Sequence, residues 1–123
     1  MRRDGLHRLS VEELVERFAA FAVDRDEAIL DDDIAKSSRL FWKLDAVEKE
    51  LKARPGDQRT ALCQLYAHRN LQVRLDAAKA TLAVAPKAAR DALQSIQNAR
   101  EYPQAGDAGM CLWALDEGIF KPT

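Results

Sequence analysis

Apolar positions recur along this chain at helical spacing, and no stretch shows the period-two alternation of a half-buried strand. Val11, Leu14, Val15, Phe18, Ala22 and Ile29 form one stripe, with Phe21 at its margin. Leu40, Leu44, Val47 and Leu51 form a second, which Ile34, Ser37 and Phe41 are expected to widen. A short third helix over residues 58–67 turns Leu62, Leu65 and Tyr66 inward. A fifth, opened by Pro86, buries Ala89, Leu93 and Ile96, and presents small residues at Ala88, Ala92 and Ala99. A last helix over residues 106–117 does the same with Ala108, Cys111, Leu112 and Leu115. The stretch between the third and fifth is different. At about 100° per residue, Val73, Ala77, Ala80 and Val84 line one face, while Leu71, Leu75, Ala78 and Leu82 line nearly the opposite one. A helix apolar on both sides is sandwiched. The pattern therefore predicts a layered all-α domain of about six helices with the fourth central, and Val73, Leu75 and Leu82 among its structural residues.

Local chemistry punctuates these helices. Ser10 with Glu13 forms a capping box, with Leu9 placed as its hydrophobic staple. The run Asp31-Asp32-Asp33 suits the positive end of the second helix. It is a poor cation site, because successive helical residues diverge by about 100° and cannot converge on one ion. Pro55-Gly56-Asp57 turns the chain after the second helix, and Asn70 is the N-cap of the central one. His68 belongs to the turn between. Gly118 stops the last helix. Gly106 and Gly109 each weaken that helix by about 1 kcal/mol relative to Ala, which close packing on the fifth helix would make tolerable and a ligand-facing backbone would also explain.

Composition bounds the chemistry. The 123 residues suit one domain, 1–123, with residues 1–9 as an N-terminal arm free to flex. The 47% hydrophobic and 32% charged makeup is that of a soluble globular chain, and the formal net charge of -1 gives no global attraction to phosphate backbones. Neither an apolar signal segment nor a run of membrane-spanning length is present, so no membrane role and a cytoplasmic location are expected. Cys63 and Cys111 have no nearby ligand at metal spacing and are read as reduced core thiols. His7 and His68 are solitary. Phosphate loops, HExxH, CxxC and G-x-S-x-G are absent. No metal, cofactor or catalytic residue is assigned, and the balance leans away from an enzyme.

Three residues do not fit the pattern. Arg25 falls inside the first stripe, where it either snorkels to solvent or pairs with Asp24, Asp26 or Glu27. Trp42 lies roughly opposite the Leu40–Leu51 stripe, with Asp45 and Lys49 beside it. Leu6 and Leu9 folding back would cover that indole. Otherwise it stands exposed, or it anchors a contact with a partner or a second copy, since Trp is enriched at the centres of tight interfaces. Arg74 opens the central helix against the dipole and is expected to hold a structural ion pair or carbonyl bond.

The pattern Ala61-Leu62-x-x-Leu65, a short turn, then Asn70-x-x-Val73-Arg74-x-x-Ala77-Ala78-x-x-x-Leu82 resembles a HEAT-type repeat over about residues 58–100. Across its length, including Leu115-Asp116-Glu117-Gly118, the chain also resembles a family of small bacterial HEAT-like helical proteins classed as a domain of unknown function. That resemblance implies antiparallel helix pairs in a short α-α superhelix. It brings no catalytic residues, and the long first two helices depart from the repeat pattern.

The function these readings favour is a protein-interaction module of immunity or adaptor type, because stacked helix pairs bind partners without catalytic groups. Its partner is an unidentified protein or, as a homo-oligomer, a second copy. The candidate surface is Trp42, Asp45 and Lys49. The alternative is a DNA-binding or lesion-recognition protein, for which Trp42, Trp113 and Asp116 supply residue types and Arg69, Arg74, Lys79 and Arg90 supply charge. The near-neutral total argues against nucleic acid.

Overall fold

The computed structural model describes residues 5–123. Among them are five α-helices, α1 (Val11–Leu30), α2 (Ile34–Ala53), α3 (Leu71–Ala80), α4 (Pro86–Ala99) and α5 (Gln104–Asp116), two 3-10 helices (Leu6–Arg8 and Gln58–Ala67), and no strand. The chain forms two compact units, Met1–Ala61 and Leu62–Thr123.

In the first unit α1 and α2 make an antiparallel pair. Ser10 Oγ accepts from the Glu13 N–H at 3.0 Å and Glu13 Oε1 from the Ser10 N–H at 2.9 Å, closing the capping box that starts α1. The turn to α2 spends the three aspartates separately. Asp31 ends α1, Asp32 takes the left-handed conformation (φ 54°), and Asp33 caps α2 by accepting from the Lys36 N–H at 3.0 Å. Phe18, Leu14, Leu44, Val47 and Leu51 fill the buried side of the pair.

The expected N-terminal arm needs correction where it is described; residues 1–4 of it lie outside the described residues. Leu6 is buried in a 3-10 turn packed on α2. Arg54, at the end of α2, holds the turn by donating from Nη2 to the carbonyls of Leu6 (3.2 Å) and Leu9 (2.7 Å), while its Nε donates to Glu50 at 2.7 Å. Three carbonyl or carboxylate acceptors around one guanidinium fix this segment. Leu6 is thus committed to the core, and Trp42 remains 61% exposed.

In the second unit α3 is buried on both of its apolar faces, with Val73, Ala77 and Ala80 on one and Leu75 and Ala78 on the other. Leu75, Ala78 and Leu82 join Ala89, Leu93 and Ile96 of α4 and Ala108 and Cys111 of α5 in one cluster. Asn70 caps α3 through Oδ1, which accepts from the N–H groups of Gln72 and Val73, and His68 Nδ1 accepts from the Asn70 N–H. α3 is shorter than its apolar pattern. It ends at Ala80, so Leu82 is buried from the following turn and not from the helix. Thr81 Oγ1 contacts the Ala77 and Ala78 carbonyls in competition with the backbone ladder, and Pro86 holds Ala85 outside the helical region (φ -143°, ψ 63°).

α5 starts at Gln104, two residues earlier than its pattern indicates, and packs on α4. A Cβ at Gly109 would stand 2.7 Å from Gln97 Nε2 of α4, the far end of an exposed side chain that faces α5 here. Gly118 (φ 71°) ends the helix as a left-handed cap, its N–H bonding Leu115.

Candidate functional site

The largest departure from the expected hydrophobic stripes lies on α2. Ile34 is 82% exposed and Phe41 is also outside the core. Both sit about 90–110° from the centre of the Leu40–Leu51 stripe, at its margin. Two small residues, Ser37 and Ser38, lie between them on the same face, and the step from large to small side chains opens a groove of about 380 Å³ at the turn end of the α1–α2 pair. Arg25, Ala28 and Ile29 of α1 form its other wall, with Asp32 and Asp33 at the end.

Arg25 neither simply snorkels nor depends on its sequence neighbours alone. Its guanidinium lies over the Phe41 ring, 5.5 Å from the centroid, a cation–π contact that keeps the charge half-buried beside the groove. Phe41 in turn meets Trp42 edge to face, with centroids 5.1 Å apart. Arg25, Phe41 and Trp42 are therefore a continuous run of guanidinium and two rings, and Ile34 and the 72% exposed Leu30 add aliphatic surface near the same turn.

Asp45 and Lys49 are placed by the same helix but are engaged with each other at 2.9 Å, with the Lys49 side chain largely in water. Such a pair contributes little and does not line the groove. Of the expected surface, Trp42 joins the new site and the Asp45–Lys49 pair flanks it. Ile34 and Phe41 are expected in the buried stripe and Arg25 at its solvent edge, although the Ile34–Ser37–Ser38–Phe41 spacing carries the signal for a surface: two large apolar residues seven apart with serines between.

Next along α2, Glu48 is a half-buried carboxyl. Burial pushes its pKa up to about 7, the negative charge of Asp45 adds to the rise, and Arg59, Lys52 and Lys49 only partly oppose it. Arg59 is otherwise committed to Asp57, donating from Nε (2.9 Å) and Nη2 (2.7 Å), which holds the Asp57 carboxyl below its usual range.

The second unit offers less for nucleic acid than its sequence indicates. Lys79 pairs with Asp107 at 2.9 Å and Arg90 with Asp116 at 2.9 Å, so two of the four cations are neutralised and Asp116 is tied down. Arg74 has no such partner. None of its guanidinium groups meets an acceptor among the described residues, and Nε is buried. The expected structural bond is not formed. Gln104 Nε2 donates to Gln72 Oε1 at 3.0 Å and Gln72 Nε2 to Asp76 Oδ1 at 3.1 Å, a buried network that sequence reading missed. Cys63 and Cys111 are both free, and burial pushes the Cys111 thiol up. The described residues contain no cluster of metal-ligating side chains and no helix long and apolar enough to cross a membrane.

The fold thus defines an all-helical class built from packed antiparallel helix pairs. Residues 12–116 match the family described as "Domain of unknown function (DUF2019)", and the chain belongs to that family. The crystal structure of the protein RPA1889 from Rhodopseudomonas palustris CGA009 is similar along nearly the whole chain. The two are 52% identical, with a TM-score of 0.94 over 96% of this chain and 98% of that one. No curated protein matches.

Proposed function

We propose that the chain is a protein-binding module of immunity or adaptor type, a HEAT-like domain that docks a protein partner on the groove and aromatic run of the α1–α2 pair. The observation that supports this reading is the exposure of Trp42, Phe41 and Ile34 around the groove beside the Arg25 guanidinium. Aromatic and arginine side chains are the residues on which interfaces concentrate their energy. Charge indicates the partner's chemistry. The groove's own charges are the Arg25 guanidinium on one wall and Asp32 and Asp33 at its end, so a partner that inserts an apolar side chain with one carboxylate beside Arg25 complements this face. An apolar groove with two carboxylates at its end adds nothing to phosphate contacts, which disfavours a duplex on this face.

The test is affinity capture from cells of the encoding organism with wild type and with Trp42→Ala, followed by purification of the captured protein and titration. A partner that binds wild type at least about tenfold more tightly than a folded Trp42→Ala supports the module. A Trp113→Phe background lets Trp42 emission report the contact directly, and sizing on dilution identifies a second copy as the partner. Equal binding to both forms, or a salt-steep gel shift with duplex DNA and no protein bound, overturns it.

A further inference from the structure

We infer that the second unit carries a separate binding site for a monocarboxylate, built on Arg74. The cavity it lines has a volume of about 370 Å³, within the range of small-ligand pockets, and Ala88, Ala92 and Ile96 of α4 and the ring of Tyr66 give it apolar walls. Arg74 is the cation among the lining residues, with Nε buried and no acceptor for the guanidinium among the described residues. A buried donor left without an acceptor is costly, and the planar fork of an arginine is matched by the two oxygens of a carboxylate. Position does not explain the residue either. Arg74 sits in the first turn of α3, where the helix dipole disfavours a cation.

The other polar groups of the cavity narrow the ligand. Tyr66 is not a donor to it, because its hydroxyl is engaged with Thr81 and Cys63. Asp91 lines the cavity and is held by Lys87 at 3.0 Å in an exposed pair. A second carboxylate in the lining repels a dianion more than a monoanion, so a cavity lined by one arginine and one acid favours a carboxylate over a phosphate. Ser95 adds a hydroxyl for a neutral polar group. The ligand is accordingly a carboxylate on a small apolar body. It is either a free organic acid or an acidic side chain of a polypeptide, and both share the chemistry that Arg74 recognises.

The experiment follows the backbone amide resonances of Arg74 and of Ala88, Ala92 and Ile96, present in every variant, with the Arg74 Nε–H (assigned by its loss in Arg74→Lys) as a second reporter in wild type, while benzoate, propionate, N-acetyl-glutamate N-methylamide and phosphate are titrated at constant ionic strength. Saturable shifts with the carboxylates, weakened at least about tenfold in Arg74→Met and in the cavity-filling Ala92→Leu, are expected. Binding of benzoate or propionate assigns the site to free acids, and binding of the blocked glutamate alone assigns it to a protein carboxylate. Thermal melts of both variants establish that they fold. Undiminished binding to folded Arg74→Met, binding of phosphate as tight as any carboxylate, or no saturable shift with any of the three carboxylates overturns the site.

Discussion

Arg25 and Arg74 each line a cavity of nearly the same size, about 380 and 370 Å³, and the Nε of each is buried without a hydrogen bond, but what surrounds the two guanidiniums differs. In the first unit the guanidinium lies on an aromatic ring that continues to an exposed indole. In the second it is flanked by small residues and its donors meet no acceptor among the described residues. Ring stacking satisfies a charge while leaving apolar surface outside, which suits a macromolecular contact. An unsatisfied fork in a small apolar pocket suits a small or narrow anionic group. The same residue type therefore points to two kinds of ligand, and its surroundings decide which.

The cores differ in the same sense. Both are built on large aliphatic side chains, but the first adds the buried ring of Phe18, whereas the second sets Ala78, Ala89 and Ala108 among Leu75, Leu93 and Ile96 where its helices pack. Phe18→Ala is expected to destabilise by about 3–5 kcal/mol, the cost of an emptied aromatic site. Ala108→Leu is expected to cost about 1–3 kcal/mol by overpacking, where Ala108→Ser leaves more of the packing intact. Urea melts of the three variants check both figures. A Phe18→Ala change costing less than Ala108→Leu would break the distinction between the two cores.

Carboxylates sharpen the comparison through pH. In the second unit Asp107 and Asp116 are paired with cations. In the first, Glu48 has its pKa raised from the ordinary 4.5 to about 7 by burial, with Asp45 adding to the rise. The folded state then holds a proton that the unfolded state has released, so the contribution of Glu48 to stability is present below about pH 4.5 and is lost as pH rises through about 7. Glu48→Gln should leave stability unchanged near pH 4 and raise it by about 1–2 kcal/mol at pH 8, a range already reduced for the solvent contact this half-buried carboxyl keeps. Chemical denaturation at the two pH values reads the difference directly, and an equal effect at both would remove Glu48 as its cause.

What could be read before the structure was local. The Ser10–Glu13 box, the Asn70 cap and the Gly118 stop each depend on groups within a few residues, and all three form. The two-faced pattern of α3 was legible because burial on both faces leaves no polar positions to break it. The margins of a stripe were not. Ile34 and Phe41 have apolar side chains at helical spacing, but whether a residue about 100° from the centre of a stripe is covered depends on the neighbouring helix, and α1 leaves a groove there. Nor could the sequence place Gln72, Asp76 and Gln104 in one network, since that requires the register between α3 and α5. The lack of a partner for Arg74 is of the same kind. The spacing put a donor at the helix start, and only the packing of α4 decides what faces it.

Gly109 allows a smaller test of the second unit's close packing. Its Cβ would meet the tip of the Gln97 side chain, which is flexible and exposed, so the clash is relieved by a rotamer change. Gly109→Ala therefore gains helix propensity and should stabilise by about 0.5–1 kcal/mol. A loss of stability in a thermal melt would mean that Gln97 is held in place.

The smallest expected effects return to the two arginines and separate them most cleanly. Arg25→Met keeps much of the aliphatic stem but removes the charge over Phe41, and should cost at least about 0.5–1 kcal/mol, the range for a partly exposed cation–π contact. Arg74→Met keeps the stem as well and removes a buried donor that has no acceptor among the described residues. Nothing favourable is lost with it, so the change should be neutral or stabilising by up to about 1 kcal/mol. Paired urea melts at one pH and salt concentration measure the two side by side. If Arg74→Met destabilised as much as Arg25→Met, Arg74 would be holding the second unit together, and the monocarboxylate site would lose the free guanidinium on which it is built.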